Sequence, residues 1–218
     1  LSNRDVLGLA DTGTGKTAAF ILPILHKIIA DSNQTALIVA PTRELALQIK
    51  EEIKSLAFGL PIYSCLIIGG ADMRRQMREL DRRPHIFVGT PGRLRDLYNR
   101  RALDLRNTTT VVLDEVDRML DMGFVKEITE LLSFVPQERQ TLLFSATIDR
   151  RVEGIAMQFM KDPVKISVKT GDTCANVEQD IVRVTGMENR INALTSLLSK
   201  PEFQKVLIFG RTKYGVES

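Results

Sequence analysis

The chain has 218 residues, of which 44 % are hydrophobic and 26 % charged, with a mean hydropathy of -0.04. This composition supports a packed core and excludes disordered and collagen-like chains, while the length falls between one ordinary domain and two. The longest apolar run, 18–25, is broken by Pro23 and is well short of the ~20 residues that cross a bilayer, so no membrane span is expected.

Short apolar runs alternate with segments of helical spacing, the pattern of an α/β fold whose parallel sheet is covered by helices. In chain order the expected strands are 6–10, 36–40, 64–68, 86–89, 111–114, 141–144 and 164–168. Between them, Leu45, Ile49, Ile53 and Leu56, and later Val125, Ile128, Leu131, Leu132 and Val135, recur at helical intervals as core-facing stripes. A polar stretch at 169–176 is expected to be a linker. Beyond it, 177–184 and 206–209 have strand character and 190–198 helical spacing. Two strands and one helix are too few to close a sheet, so 177–218 is expected to be the incomplete start of a second unit, after a first domain over 1–168.

No basic, apolar and then small-residue leader follows Leu1, and an intracellular setting is expected, cytoplasmic or, in a eukaryote, nuclear. Cys65 and Cys174 stand apart from each other and from any metal-ligand spacing, which suits two reduced thiols. The formal charge is +3. Residues 171–218 are balanced, with six basic and six acidic side chains, whereas 71–106 carry ten arginines against five acids. Such a run is either a solvated helix face or a patch for a phosphate-rich partner.

Residues 10–17 read ADTGTGKT between an expected strand and an amphipathic helix. In that setting the backbone N–H groups of Ala10, Asp11, Thr12, Gly13, Thr14 and Gly15 can cradle phosphates at the helix N-terminus. Lys16 would reach the β- and γ-phosphates and the Thr17 hydroxyl would hold magnesium. Pro23 lies in the following helix and predicts a kink. Residues 110–117 read TVVLDEVD, which puts carboxylates at the C-terminal end of a strand, the edge where open α/β sheets bind ligands. There Asp114 suits magnesium and Glu115 suits activation of a water for attack on a phosphoryl group.

Four more loops follow expected strands on the same edge. PTRELALQ at 41–48 opens a helix with Pro41, Thr42, Arg43 and Glu44, and Gly69 and Gly70 form a glycine turn. TPGR supplies Thr90 as N-cap, Pro91 as first helical residue, then Gly92 and Arg93, and SAT supplies Ser145 and Thr147. Two helix N-termini and a glycine turn can grip successive phosphates without reading bases. Aromatic residues are only 6 % and tryptophan is absent, which argues against a base-stacking platform.

The ordered set ADTGTGKT, PTRELALQ, GG, TPGR, DEVDRMLDMGF and SAT resembles the DEAD-box RNA helicases of helicase superfamily two over residues 1 to about 168. The resemblance implies a RecA-like P-loop domain that binds ATP at residues 10–17, with magnesium at Thr17 and Asp114 and catalysis by Lys16, Asp114 and Glu115. It further implies contact with the RNA backbone from residues 41–44, 69–70 and 90–93. Asp117, Ser145 and Thr147 then become the set that couples nucleotide state to strand separation. VLIFGRT at 206–212 resembles the first motif of a second RecA-like domain.

There are departures from the family pattern. Val116 stands where the family's Ala gives the box its name, with all three carboxylates kept. The glutamine motif that reads adenine is expected before Leu1, and the arginine finger after Ser218. The resemblance therefore implies a monomeric ATP-dependent RNA helicase, of which these residues alone would bind ATP weakly and turn it over near background. An ATP-gated RNA clamp uses the same motifs and stays open as an alternative. A DNA translocase is disfavoured by the resemblance.

Overall fold

The computed structural model describes residues 3–11, 13–168, 180–201 and 203–210. The chain divides into Leu1–Thr170 and Gly171–Ser218.

In the first unit seven strands alternate with helices. They run β1 (Val6–Leu9), α1 (Lys16–Ala30), β2 (Thr35–Val39), α2 (Arg43–Leu56), β3 (Ser64–Ile67), α3 (Met73–Leu80), β4 (Ile86–Gly89) and α4 (Pro91–Asn99). The order continues with β5 (Thr108–Leu113), α5 (Val116–Asp121), α6 (Val125–Phe134), β6 (Gln140–Ser145), α7 (Arg150–Phe159) and β7 (Val164–Ser167). All pairings are parallel, in the order β3-β4-β2-β5-β6-β1-β7. Parallel strands need crossover connections, and helices supply all six, α5 and α6 together making the one from β5 to β6.

The strands alternate their side chains between two apolar clusters, which is why the central ones read as unbroken hydrophobic runs. Ala36, Ile38, Val88 and Val112 pack against Phe20, Ile21 and Ile24 of α1 and Ile49 and Ile53 of α2. On the other face Leu37, Val39, Val111 and Leu143 meet Leu94 of α4, Met119 of α5, Leu131 of α6 and Val152 of α7. The expected stripes of α2 and α6 are the inward faces, except that Leu56 and Val125 at their ends are exposed.

Strand β5 starts at Thr108, three residues before its apolar run. Thr108 and Thr110 are buried, and Thr108 shares a hydrogen bond with Thr35 at 3.2 Å. Another polar tie closes the amino-terminal edge: the buried Asp5 accepts from the backbone N–H of Thr141 at 2.7 Å and of Lys161 at 2.6 Å.

In the second unit the expected helix is present as α8 (Met187–Leu198). The two expected strands are not found where they are described. Residues 180–184 and 206–209 carry no strand ladder, and Ile181, Leu207 and Phe209 are largely exposed. A strand exists only through hydrogen bonds to a neighbour, and among the described residues these segments have none. Residues 177–179 of the first of them, and Thr12, Cys174, Arg211 and Thr212, lie outside the described residues.

Candidate functional site

Because the sheet is wholly parallel, the loops after β1 to β6 emerge on one edge, and strand order sorts them. Along that edge lie Gly69 and Gly70 after β3, Thr90 to Arg93 after β4, and Pro41 to Glu44 after β2. Next come Asp114 to Asp117 after β5, Ser145 to Thr147 after β6, and Ala10 to Thr17 after β1. The three loops suited to gripping a phosphate chain fill one half of the edge. The phosphate loop and its carboxylates fill the other, although the phosphate loop comes first in sequence.

Gly15 caps α1 with φ 83°, a left-handed conformation that glycine adopts without strain. Lys16 opens the helix, and its Nζ donates to the carbonyl of Ala10 at 2.9 Å, closing the loop on itself. Ala10 N–H donates in turn to the carbonyl of Ser145 at 3.2 Å, which ties the loop to the end of β6. Beside it runs a groove of about 380 Å³ lined by Gly8, Ala19, Pro23, Leu142, Phe144 and Ile166, among others.

Asp114 is 2 % exposed. Burial pushes its carboxyl up to about 6; the Lys16 ammonium pulls it down, and the neighbouring charges of Glu115 and Asp117 push it further up. Its Oδ1 accepts the backbone N–H of Glu115 at 3.0 Å. Glu115 has φ 53° and ψ 54°, a left-handed backbone that costs a residue with a Cβ about 1–2 kcal/mol. Such strain at a sheet's ligand edge is a recurrent mark of functional residues. The Glu115 carboxylate receives Arg118 Nη1 at 3.1 Å, whereas Lys16 acts on Asp114 through its charge. Arg118 escaped the sequence reading, although its i,i+3 spacing on α5 could have signalled the pair.

Among the described residues no three His, Cys, Asp or Glu side chains cluster as a metal cage. The buried carboxylate of Asp114 and a hydroxyl residue, Thr17, in the first turn of α1 are donor types that suit magnesium. That ion binds through one or two protein oxygens and takes the rest of its shell from water and substrate phosphate.

Asp117 and the loop after β6 are joined directly. Asp117 Oδ2 accepts from both the N–H and the hydroxyl of Thr147, each at 2.9 Å, while the Ser145 hydroxyl donates to the carbonyl of Thr147 at 2.7 Å.

On the other half, Thr42 caps α2 through its side chain, which accepts from Leu45 N–H at 3.2 Å. Thr90 occupies the N-cap position of α4 with Pro91 first in the helix, as expected, but its hydroxyl makes no capping bond. The Arg43 guanidinium lies over the glycine turn: a Cβ on Gly69 would stand 3.3 Å from it, and one on Gly70 would overlap it. Arg93 donates to the carbonyl of Ala71 at 3.5 Å. The turn is also pinned from behind, since Gln76 of α3 exchanges two hydrogen bonds with the backbone of Ile68, at 3.2 and 3.1 Å. No sequence pattern marks Gln76.

A parallel sheet with a phosphate loop at one strand end and a strained carboxylate pair two strands away defines a P-loop domain of the RecA-like kind. Residues 1–155 match the family described as DEAD/DEAH box helicase, and the chain belongs to that family. It is 47 % identical over 224 residues to the DEAD-box ATP-dependent RNA helicase CshA of Bacillus licheniformis, covering 100 % of this chain and 45 % of that protein. The CshA of Geobacillus kaustophilus is 46 % identical over 219 residues, with 100 % of this chain and 47 % of the relative covered. Among solved structures, a DEAD box protein from Methanococcus jannaschii superimposes with a TM-score of 0.72 at 38 % identity, over 92 % of this chain and 54 % of that one. A hypothetical ATP-dependent RNA helicase from Sulfolobus tokodaii gives 0.71 at 34 %, over 76 % and 48 %. The chain spans about half the length of the curated relatives it matches.

Proposed function

We propose that the natural protein is a monomeric, intracellular ATP-dependent RNA helicase that uses magnesium, and that 1–168 form its first RecA-like domain and 177–218 the start of its second. The observation that carries this reading is the divided edge, with phosphate loop and carboxylates on one half and the Arg43 guanidinium over a glycine turn on the other. Names borne by relatives, ATP-dependent RNA helicases, support the same reading.

In the proposed mechanism the backbone from Ala10 to Gly15 holds the phosphates of ATP and Lys16 neutralises charge on the β- and γ-phosphates. Thr17 and Asp114 would hold magnesium, which when bound offsets phosphate charge. Glu115 orients the attacking water and accepts its proton. Arg43, the Gly69–Gly70 turn and the N-terminus of α4 hold the RNA backbone. Asp117, Ser145 and Thr147 link the two halves, because a shift of the carboxylates at β5 must pass through the bonds to the loop after β6. Residues 1–218 alone should hydrolyse ATP close to background, since charge developing on the γ-phosphate needs a cation from outside this unit.

In the natural protein, Glu115→Gln should retain ATP and RNA binding and abolish RNA-stimulated hydrolysis. Unchanged hydrolysis in that variant would overturn the proposal.

A further inference from the structure

The ten arginines between residues 71 and 106 are only partly used by the edge described above. Arg93 and Arg95 have partners, the latter with Glu127 at 3.1 Å and Glu130 at 3.4 Å between α4 and α6. Arg74, Arg78 and Arg82 are exposed, and among the described residues none of them forms an ion pair.

Their placement follows from the helix period. Gln76 and Leu80 are buried, and Gln76 is bonded to Ile68, which fixes the inward face of α3. Arg74 and Arg78 lie four positions apart on the side of α3 opposite that face, and Arg82 follows in the turn after the C-cap Asp81. At about 1.5 Å of rise per residue Arg74 and Arg78 stand about 6 Å apart along the helix axis, the scale of one nucleotide, and Arg82 extends the row past the helix end. Nearby acids do little to cancel it. Asp72 caps α3 by accepting the N–H of Arg74 at 2.9 Å, and Glu79 is shared by Lys50 and Arg75. Asp81 is the remaining carboxylate.

The row is continuous with the candidate RNA edge. It begins four residues after Gly70, whose face Arg43 covers, and two residues after Asp72, itself next to the Ala71 carbonyl that Arg93 contacts. From there α3 descends beside β3, the outermost strand on that side of the sheet. A strand held at the glycine turn and running on past it meets this row next.

We propose that Arg74, Arg78 and Arg82 form a second stretch of RNA-backbone contact, extending the track beyond the Gly69–Gly70 turn down the outer face of α3 and onto the turn that follows it. The partner is single-stranded RNA, held by charge and without base readout. The row lengthens the footprint and adds salt-sensitive affinity, and takes no part in hydrolysis. The inference rests on the reading of residues 41–44, 69–70 and 90–93 as the primary grip.

The test uses the whole natural protein, with single-stranded RNAs of about 8 and about 20 nucleotides titrated at several salt concentrations. Removing three phosphate contacts should lower the slope of log affinity against log salt by about 2 for the long RNA. The Arg74→Ala/Arg78→Ala/Arg82→Ala variant should therefore lose about tenfold in affinity for the long RNA, with no change for the short one or in ATP turnover at saturating RNA. Arg43→Ala should weaken both. An unchanged salt slope in the triple variant, with Arg43→Ala still weakening both RNAs, would overturn the second contact alone and leave the row a solvated face or a site for some other acidic partner. If Arg43→Ala weakens neither, the primary grip fails as well, and the row with it.

Discussion

The carboxylate of Asp117 holds Thr147 by two bonds from one oxygen, one to the backbone N–H and one to the hydroxyl, each 2.9 Å long. These residues are 30 positions apart and lie just beyond the ends of adjacent strands β5 and β6, Asp117 in the first turn of α5. Two donors on one oxygen fix the β6 loop against Asp117 in both position and rotation.

Thr147→Val keeps the side-chain shape and the backbone bond while removing the hydroxyl donor. A hydrogen bond to a charged acceptor is worth about 1.5–3 kcal/mol, less at this exposed position. We expect RNA-stimulated ATP turnover to fall modestly and duplex displaced per ATP consumed to fall about tenfold. Combining it with Asp117→Asn should add little, since both act on one contact. An unchanged yield of displaced strand per ATP would show that the contact only supports the fold.

Asp114 makes stability depend on pH. Its carboxyl has an ordinary value of 3.8 and sits at about 6 in the fold. Below about pH 4 both folded and unfolded chains hold the proton and there is no penalty. As pH rises from 4 to 6 the unfolded chain releases it first, so folding stability falls, by on the order of 2–3 kcal/mol once pH exceeds 6. Without nucleotide or magnesium, Asp114→Asn should stabilise the protein at neutral pH by up to that amount while abolishing turnover. The gain should shrink toward pH 4 in a series of urea unfolding curves. A variant less stable than the parent at neutral pH would contradict the burial argument.

Gly70 and Gly92 should respond differently to alanine. Gly70 has φ +74° and its missing Cβ makes room for Arg43, so Gly70→Ala should cost about 1 kcal/mol of stability and weaken RNA binding severalfold, with ATP binding intact. Around Gly92, which lies in the first turn of α4, a Cβ would meet nothing within 4 Å. Gly92→Ala should therefore raise the melting temperature slightly; any loss of RNA affinity there would report close approach of a phosphate. Thermal melts and RNA titrations of the pair decide it.

Cys65 is buried on β3, and burial pushes its thiol up to about 12, with the negative charge of Glu79 adding to the effect. Since the thiolate is the reactive form, alkylation of Cys65 in the native protein near pH 8 should be negligible and should appear only on unfolding. Mass spectrometry of the Cys65 peptide after iodoacetamide treatment measures this. Rapid native labelling would mean that β3 opens readily.

The strand cores were legible because a sheet covered on both faces demands continuous apolar runs, as in 36–40 and 86–89. Strand β5 was cut short in that reading because Thr108 and Thr110 satisfy burial through hydrogen bonds, which hydropathy does not register. The segments 180–184 and 206–209 show the opposite failure. Their residues have strand character, but a strand also needs a neighbour.

By itself the sequence determined the chemistry. ADTGTGKT and DEVD name the groups that can hold phosphate and act on water, since glycine, lysine and carboxylate bring those properties wherever they lie. Only the tertiary structure decided which loops are neighbours. The parallel sheet sets the phosphate loop, first in the chain, beside the β6 loop and leaves the glycine turn and Arg43 together at the far end. It also strains Glu115, buries Asp114 and turns Arg74, Arg78 and Arg82 outward. Crossover connections and packing, which no local pattern encodes, settle such relations.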